Sequence, residues 1–127
     1  MEKLTRPKLS ERKLRDNLLS FAIDKEIKKL QKESFWLKGD RNSVTLQKNP
    51  NLRVVLTSLK KGAALKEHKV AGPITLFVLS GKLKFTVEKK EVKLKKNELI
   101  VLEKAIQHDV EALEDTTFIL TLITPKY

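Results

Sequence analysis

"ITLFVLSGKLKFTVEKKEVKLKKNELIVL", residues 74–102, reads as four short strands separated by turns. In "KLKFTVE" (82–88) and "EVKL" (91–94), lysines alternate with Leu83, Phe85, Val87, Val92 and Leu94. Period-two alternation turns successive side chains to opposite faces, so it predicts strands with an apolar inner face and a lysine-covered outer face. Gly81 closes "ITLFVLS" (74–80), and "KKN" (95–97) makes the turn into "ELIVL" (98–102). No stretch here has the three-to-four spacing of a helix.

The same rhythm continues on both sides. Upstream are "SVTLQK" (43–48), "LRVVLTSL" (52–59) and "ALKEH" (64–68), divided by "NPN" and "KKG". Downstream are "HDVEAL" (108–113) and "TTFILTLI" (116–123). About nine short strands with regular turn signals predict an all-β sandwich or barrel, and the absence of helices between them argues against a parallel α/β sheet. Phe77, Phe85 and Phe118 lie within strands and are expected in the core. "EALED" (111–115) reads as a solvated acidic hairpin.

Before Ser43 the pattern is helical. "LSERKLRDNLLSF" (9–21) offers Ser10 as an N-cap, with Leu14, Leu18 and Phe21 on one face. "IDKEIKKLQKESFW" (23–36) offers Asp24 as a second N-cap, with Ile27 and Leu30 three apart. Both apolar faces are narrow, so the arm is expected to lie on a larger body, anchored by Phe35 and Trp36. Residues 1–42 are therefore assigned to a helical arm and 43–127 to the β domain, joined around "LKGDRNS" (37–43).

A chain of 127 residues accommodates one such domain. Its charged N-terminus lacks the apolar segment of a secretory signal, and no apolar run approaches the roughly 20 residues of a bilayer-spanning helix. A cytoplasmic location without membrane association is expected. The net charge of +11 raises the question of nucleic acid. However, only five of the 27 basic residues are arginine (Arg6, Arg12, Arg15, Arg41, Arg53), and the lysines are spread over strand faces. A solvated lysine surface is the reading adopted, and nucleic acid is not expected as a partner. The chain has no cysteine, which excludes disulfides and thiolate chemistry.

The order and spacing of the strands resemble the cupin superfamily, small β-barrels of jelly-roll type. The first cupin motif runs Gly, five residues, His-x-His, three or four residues, Glu, six residues, Gly. Gly62, His68 and Gly81 occupy three of its positions, while Val70 stands at the second histidine and Ile74 at the glutamate. In the second motif His108 fits the histidine, and Asn97, Glu103, Ala105 and Ala112 stand at the Gly, Pro, Gly and Asn positions. The resemblance covers about residues 44–123 and extends to small bacterial cupins of unassigned function. It implies a jelly-roll barrel behind a short helical arm, with His68 and His108 brought together across the barrel mouth.

The resemblance also implies that metal-binding relatives hold a transition metal with three histidines and one carboxylate. His68 and His108 are the two metal ligands that could remain here, and Val70 and Ile74 cannot coordinate. Three readings follow. One is a metal-free or weakly metal-binding cupin without a cofactor, holding a small apolar or amphipathic molecule against His68, His108, Val70 and Ile74. The second is a metal-dependent enzyme of dioxygenase or isomerase type, using a divalent transition metal on His68 and His108. The third is a structural or interaction module that forms a homodimer, as unpaired barrel edges would favour. Each histidine could equally be a half-buried structural residue bonded to backbone or water. No nucleophile or third orienting group accompanies them, so the sequence assigns no catalytic residue.

Overall fold

The computed structural model describes residues 18–68, 72–103 and 105–124, apart from the side chains of Glu67 and His68. Two helices precede nine strands: α1 (Ile23–Leu30), α2 (Ser34–Lys38), β1 (Arg41–Lys48), β2 (Leu52–Leu59), β3 (Ala64–His68), β4 (Ile74–Ser80), β5 (Lys82–Val87), β6 (Lys90–Lys95), β7 (Leu99–Leu102), β8 (His108–Ala112) and β9 (Thr116–Ile123). The strands form two antiparallel sheets, ordered β1-β2-β9-β4-β7 and β3-β8-β5-β6. The architecture is an all-β jelly-roll barrel.

The sheets enclose one apolar core. Leu59, Ala63, Ile74, Leu76, Val78, Leu83, Phe85, Leu94, Val110, Ala112 and Phe118 are buried together between them. Alternation along the strands places them there: β8 is buried at His108, Val110 and Ala112 and half-buried at Asp109 and Glu111. Phe85 and Phe118 are each 1% exposed, and burying a side chain of that size contributes roughly 1.5–3 kcal/mol. Phe77 has the opposite parity and is only half-buried, outside this core. On the outer face of the smaller sheet, Lys84 lies 3.3 Å from Glu111 and 3.9 Å from Glu91. Solvent screens such pairs and each contributes little.

A second apolar cluster covers the outer face of the five-stranded sheet. Leu30 of α1 packs with Val44, Leu46 and Leu56, flanked by Ile23, Ile27, Val54, Leu79 and Ile119. This part of the chain departs from the sequence reading. Residues 9–17 of the first expected helix, with Ser10 and Leu14, lie outside the described residues, and Leu18 to Ala22 are not helical. The N-cap of α1 is Ala22 rather than Asp24, because Ile23 and Ile27 both engage the sheet cluster. Asp24 and Glu26 sit in the first turn, where the unpaired N–H groups and the helix dipole favour negative charge.

The expected run to Trp36 is also broken at Gln31–Glu33. The buried Asn42 donates from Nδ2 to the Leu30 carbonyl and to Glu33 Oε1, both at 2.8 Å. The Leu30 carbonyl also accepts from the Glu33 N–H at 3.4 Å, so Asn42 adds a second, shorter bond at the end of the helix, and the chain restarts as α2. Trp36 anchors α2, with Lys60 Nζ 5.0 Å from its ring centroid. Phe35 does not serve as an anchor: so short a helix turns it outward, and it is 73% exposed.

The turns follow from backbone geometry. Gly62 and Gly81 have φ of +90° and +87°, values that disfavour any Cβ. Asn97, at the family's glycine position, has φ of 69°, and asparagine tolerates that conformation best among the other residues. Asp115 is a turn residue, its Oδ1 accepting from the Lys61 N–H at 2.8 Å. The acidic hairpin thus has a structural role.

Candidate functional site

The two histidine positions meet in adjacent strands of one sheet. The register pairs Ala64 with Glu111 and Leu65 with Val110, then shifts so that His68 lies directly opposite His108. An extra residue on β3, a β-bulge, brings these two backbones level. They are therefore cross-strand neighbours in β3 and β8, and the expected meeting across the barrel mouth is replaced by pairing within the smaller sheet. Ile74 begins β4 after the connection that leaves β3, which puts all three positions at the same end of the barrel.

His108 is 3% exposed. Its ring stacks on Phe85 with centroids 5.1 Å apart and an interplanar angle of 16°. Its Nδ1 lies 3.0 Å from the Ile106 carbonyl oxygen. In the neutral ring, that contact requires the proton on Nδ1, which turns Nε2 into the acceptor. The stack and the hydrogen bond together hold the imidazole in one orientation. A hollow of about 370 Å³ opens beside it, bounded by Thr86, Glu88, Ile106, Gln107, His108 and Asp109.

Ile74 is 1% exposed and belongs to the hydrophobic core. Val70 lies outside the described residues. A four-donor metal set needs a carboxylate or imidazole where Ile74 places a hydrocarbon. Among the described residues, no group of three or more His, Cys, Asp or Glu side chains converges. With a hydrocarbon at that position, the four-donor set that the fold family implies is incomplete in this chain.

A second hollow, of about 320 Å³, lies where the open edges of the two sheets face each other. Phe35, Arg41, Asn42, Ser43, Thr57, Leu59 and Leu65 bound it. Arg41 spans the gap: Nη1 donates to the Ala64 carbonyl of β3 at 2.9 Å, while Nε and Nη2 donate to Asp40 at 2.8 and 3.1 Å. The Arg41 guanidinium holds the Asp40 carboxyl below the usual carboxylate range, and the carboxylate raises the arginine in turn. Sequence reading missed this hollow. Its one signal was the polar Thr57, at an inward position of β2 between Val55 and Leu59.

Comparison with known families fits this arrangement. Residues 55–124 match the family model described as Cupin domain. The chain is a cupin. No curated protein matches the sequence. Among solved structures, this cupin is similar to a conserved protein of unknown function from Streptococcus pyogenes, with 25% identity and a TM-score of 0.66 over 68% of this chain and 76% of that one. It is 35% identical to a cupin 2 conserved barrel domain protein from Leptotrichia buccalis, with a TM-score of 0.65 over 68% of this chain; the match covers 42% of that longer protein. A cupin superfamily protein from Desulfitobacterium hafniense has the same fold at 14% identity and a TM-score of 0.65, covering 67% and 78% of the two chains. Among the described residues, no helix is long and apolar enough to cross a membrane.

Proposed function

We propose that this cupin is metal-free and holds a small organic molecule at the His68/His108 end of its barrel. The observation that carries the reading is Ile74, buried hydrocarbon at the position where metal-binding relatives need a carboxylate. With that donor gone, the end of the barrel is suited to contact with hydrocarbon and to single hydrogen bonds. His108, oriented by Phe85 and the Ile106 carbonyl, is the polar group placed to fix a ligand's orientation. His68, level with it on β3, is the second residue assigned to the site, and Val70 the third.

Mass spectrometry of denatured extracts tests this on protein purified under native conditions. A small molecule is expected close to one per chain, falling at least tenfold in the His68→Ala/His108→Ala double variant. An identical small-molecule content in both proteins would contradict the reading.

A specific observation favours self-association as a second reading. β7 is one of the two edges of the larger sheet, pairing among the described residues only with β4, and its Leu99 and Val101 are 55% and 58% exposed. An apolar edge with free backbone groups favours strand pairing with a second copy. Sedimentation velocity is expected to give a dimer that becomes monomeric in Leu99→Glu/Val101→Glu. A monomer at every concentration of unsubstituted protein would remove this reading.

A further inference from the structure

We propose a second ligand site, independent of the histidine end: the hollow between β1, β2, β3 and α2 binds a small carboxylate with an apolar body. The sheet registers separate the two places. Ile74 pairs with Leu102 and Leu122 at one end of the larger sheet, whereas Leu59 pairs with Arg41 and Thr116 at the other.

The walls specify the ligand's two halves. Leu59 and Leu65 face each other from opposite sheets, and Phe35 stands at the rim with most of its surface uncovered. Hydrocarbon and an aromatic face favour an apolar body. The polar groups are those of a receptor for acceptor atoms. Arg41 uses three of its five N–H donors, on Asp40 and the Ala64 carbonyl, and two remain. Thr57 is 8% exposed, and its hydroxyl makes no hydrogen bond with another described residue. The Ser43 hydroxyl, its cross-strand partner in β1, is likewise uncommitted.

The arginine is held before any ligand arrives, because Asp40 grips one side of the fork and β3 the other. Less side-chain entropy is then lost on binding, which is the advantage of a preorganised guanidinium. Both Asp40 oxygens are engaged by Arg41, so the carboxylate orients the guanidinium without blocking its remaining donors. The net charge of +11 further favours an anion over a neutral or cationic ligand of the same shape. At about 320 Å³ the hollow has room for a single-ring acid.

The test is titration of the whole chain with 3-phenylpropionate, followed by amide chemical shifts in nitrogen–proton NMR spectra. Saturable shifts are expected at Ser43, Thr57, Leu59 and Leu65. The neutral 3-phenylpropionamide should bind at least fivefold more weakly. In Arg41→Met the acid should bind about tenfold more weakly and the amide almost unchanged. Phe35→Ala, at an exposed position that folding does not require, should weaken both ligands several-fold. Absence of saturable shifts, shifts confined to Ile106 and His108, or equal affinity for acid and amide would each overturn the proposal. The second of these would place the ligand at the histidine end, and that reading would survive.

Discussion

Replacing Gly81 by alanine is expected to cost at least ~3 kcal/mol of stability, far more than the same change at Gly62. Both glycines have positive φ, so both substitutions incur the backbone penalty of roughly 1–2 kcal/mol. The surroundings differ. A Cβ on Gly81 would clash with the Asp115 carbonyl oxygen and stand 2.6 Å from Thr116 Oγ1 and 2.7 Å from the Thr116 Cα. A Cβ on Gly62 would meet nothing within 4 Å. Two of the three atoms near Gly81 are backbone, so the β8–β9 turn must move.

Movement there disrupts the contacts that join β5 to the turn. Thr116 Oγ1 accepts from the Lys82 N–H at 3.0 Å and lies within donating distance of the Lys82 and Glu114 carbonyls. Urea denaturation of the two single variants measures the difference. Equal losses at Gly62 and Gly81 would show that backbone conformation alone, and not the close approach of the turn, explains the closing glycine of the first motif.

Ile74→Glu is the second substitution with a large expected effect. The side chain is 1% exposed in the apolar core, so a charged carboxylate there would lack its hydration. The expected loss at neutral pH is ~4 kcal/mol or more, in the range of severe core substitutions. Its pH dependence has a definite sign. Burial raises the folded-state pKa of the introduced acid above its unfolded value of about 4.3. Between those two values the folded state binds more protons, so stability falls as pH rises and recovers in acid. A variant as stable as the parent at pH 7, with no pH dependence, would mean that position 74 is not buried.

The same variant bears on function. It restores the carboxylate position of the metal motif beside two imidazole positions. Added nickel or manganese is therefore expected to stabilise Ile74→Glu but not the parent, since a ligand that binds only the folded state raises its stability.

Much of the barrel was legible because strand alternation is a local signal. β2, β3, β4 and β9 begin and end where residue pattern and turn chemistry place them. The arm was less legible, since its helix boundaries depend on contacts distant in sequence. Asn42 fixes the end of α1 by reaching its Leu30 carbonyl, and no local pattern near residue 30 announces that bond. Asn97 marks a middle case: it departs from the family glycine in identity yet keeps the positive φ that the turn requires. Of the site, the inward parity of His108 and Val110 was readable, whereas the ring's orientation was not. Phe85 and the Ile106 carbonyl set that orientation, and only the fold brings them together. The hollow beside Arg41 was hidden for the same reason, being assembled from two sheet edges and a helix.

Metal content per chain is the decisive measurement, made by elemental analysis of untagged protein purified without chelator. If the barrel is a retained scaffold with a hydrocarbon at Ile74 in place of a ligand, transition metals will total far less than one per chain and will not change in His108→Ala. About one tightly held metal per chain, lost in His108→Ala, would contradict that account and make the end of the barrel a metal centre.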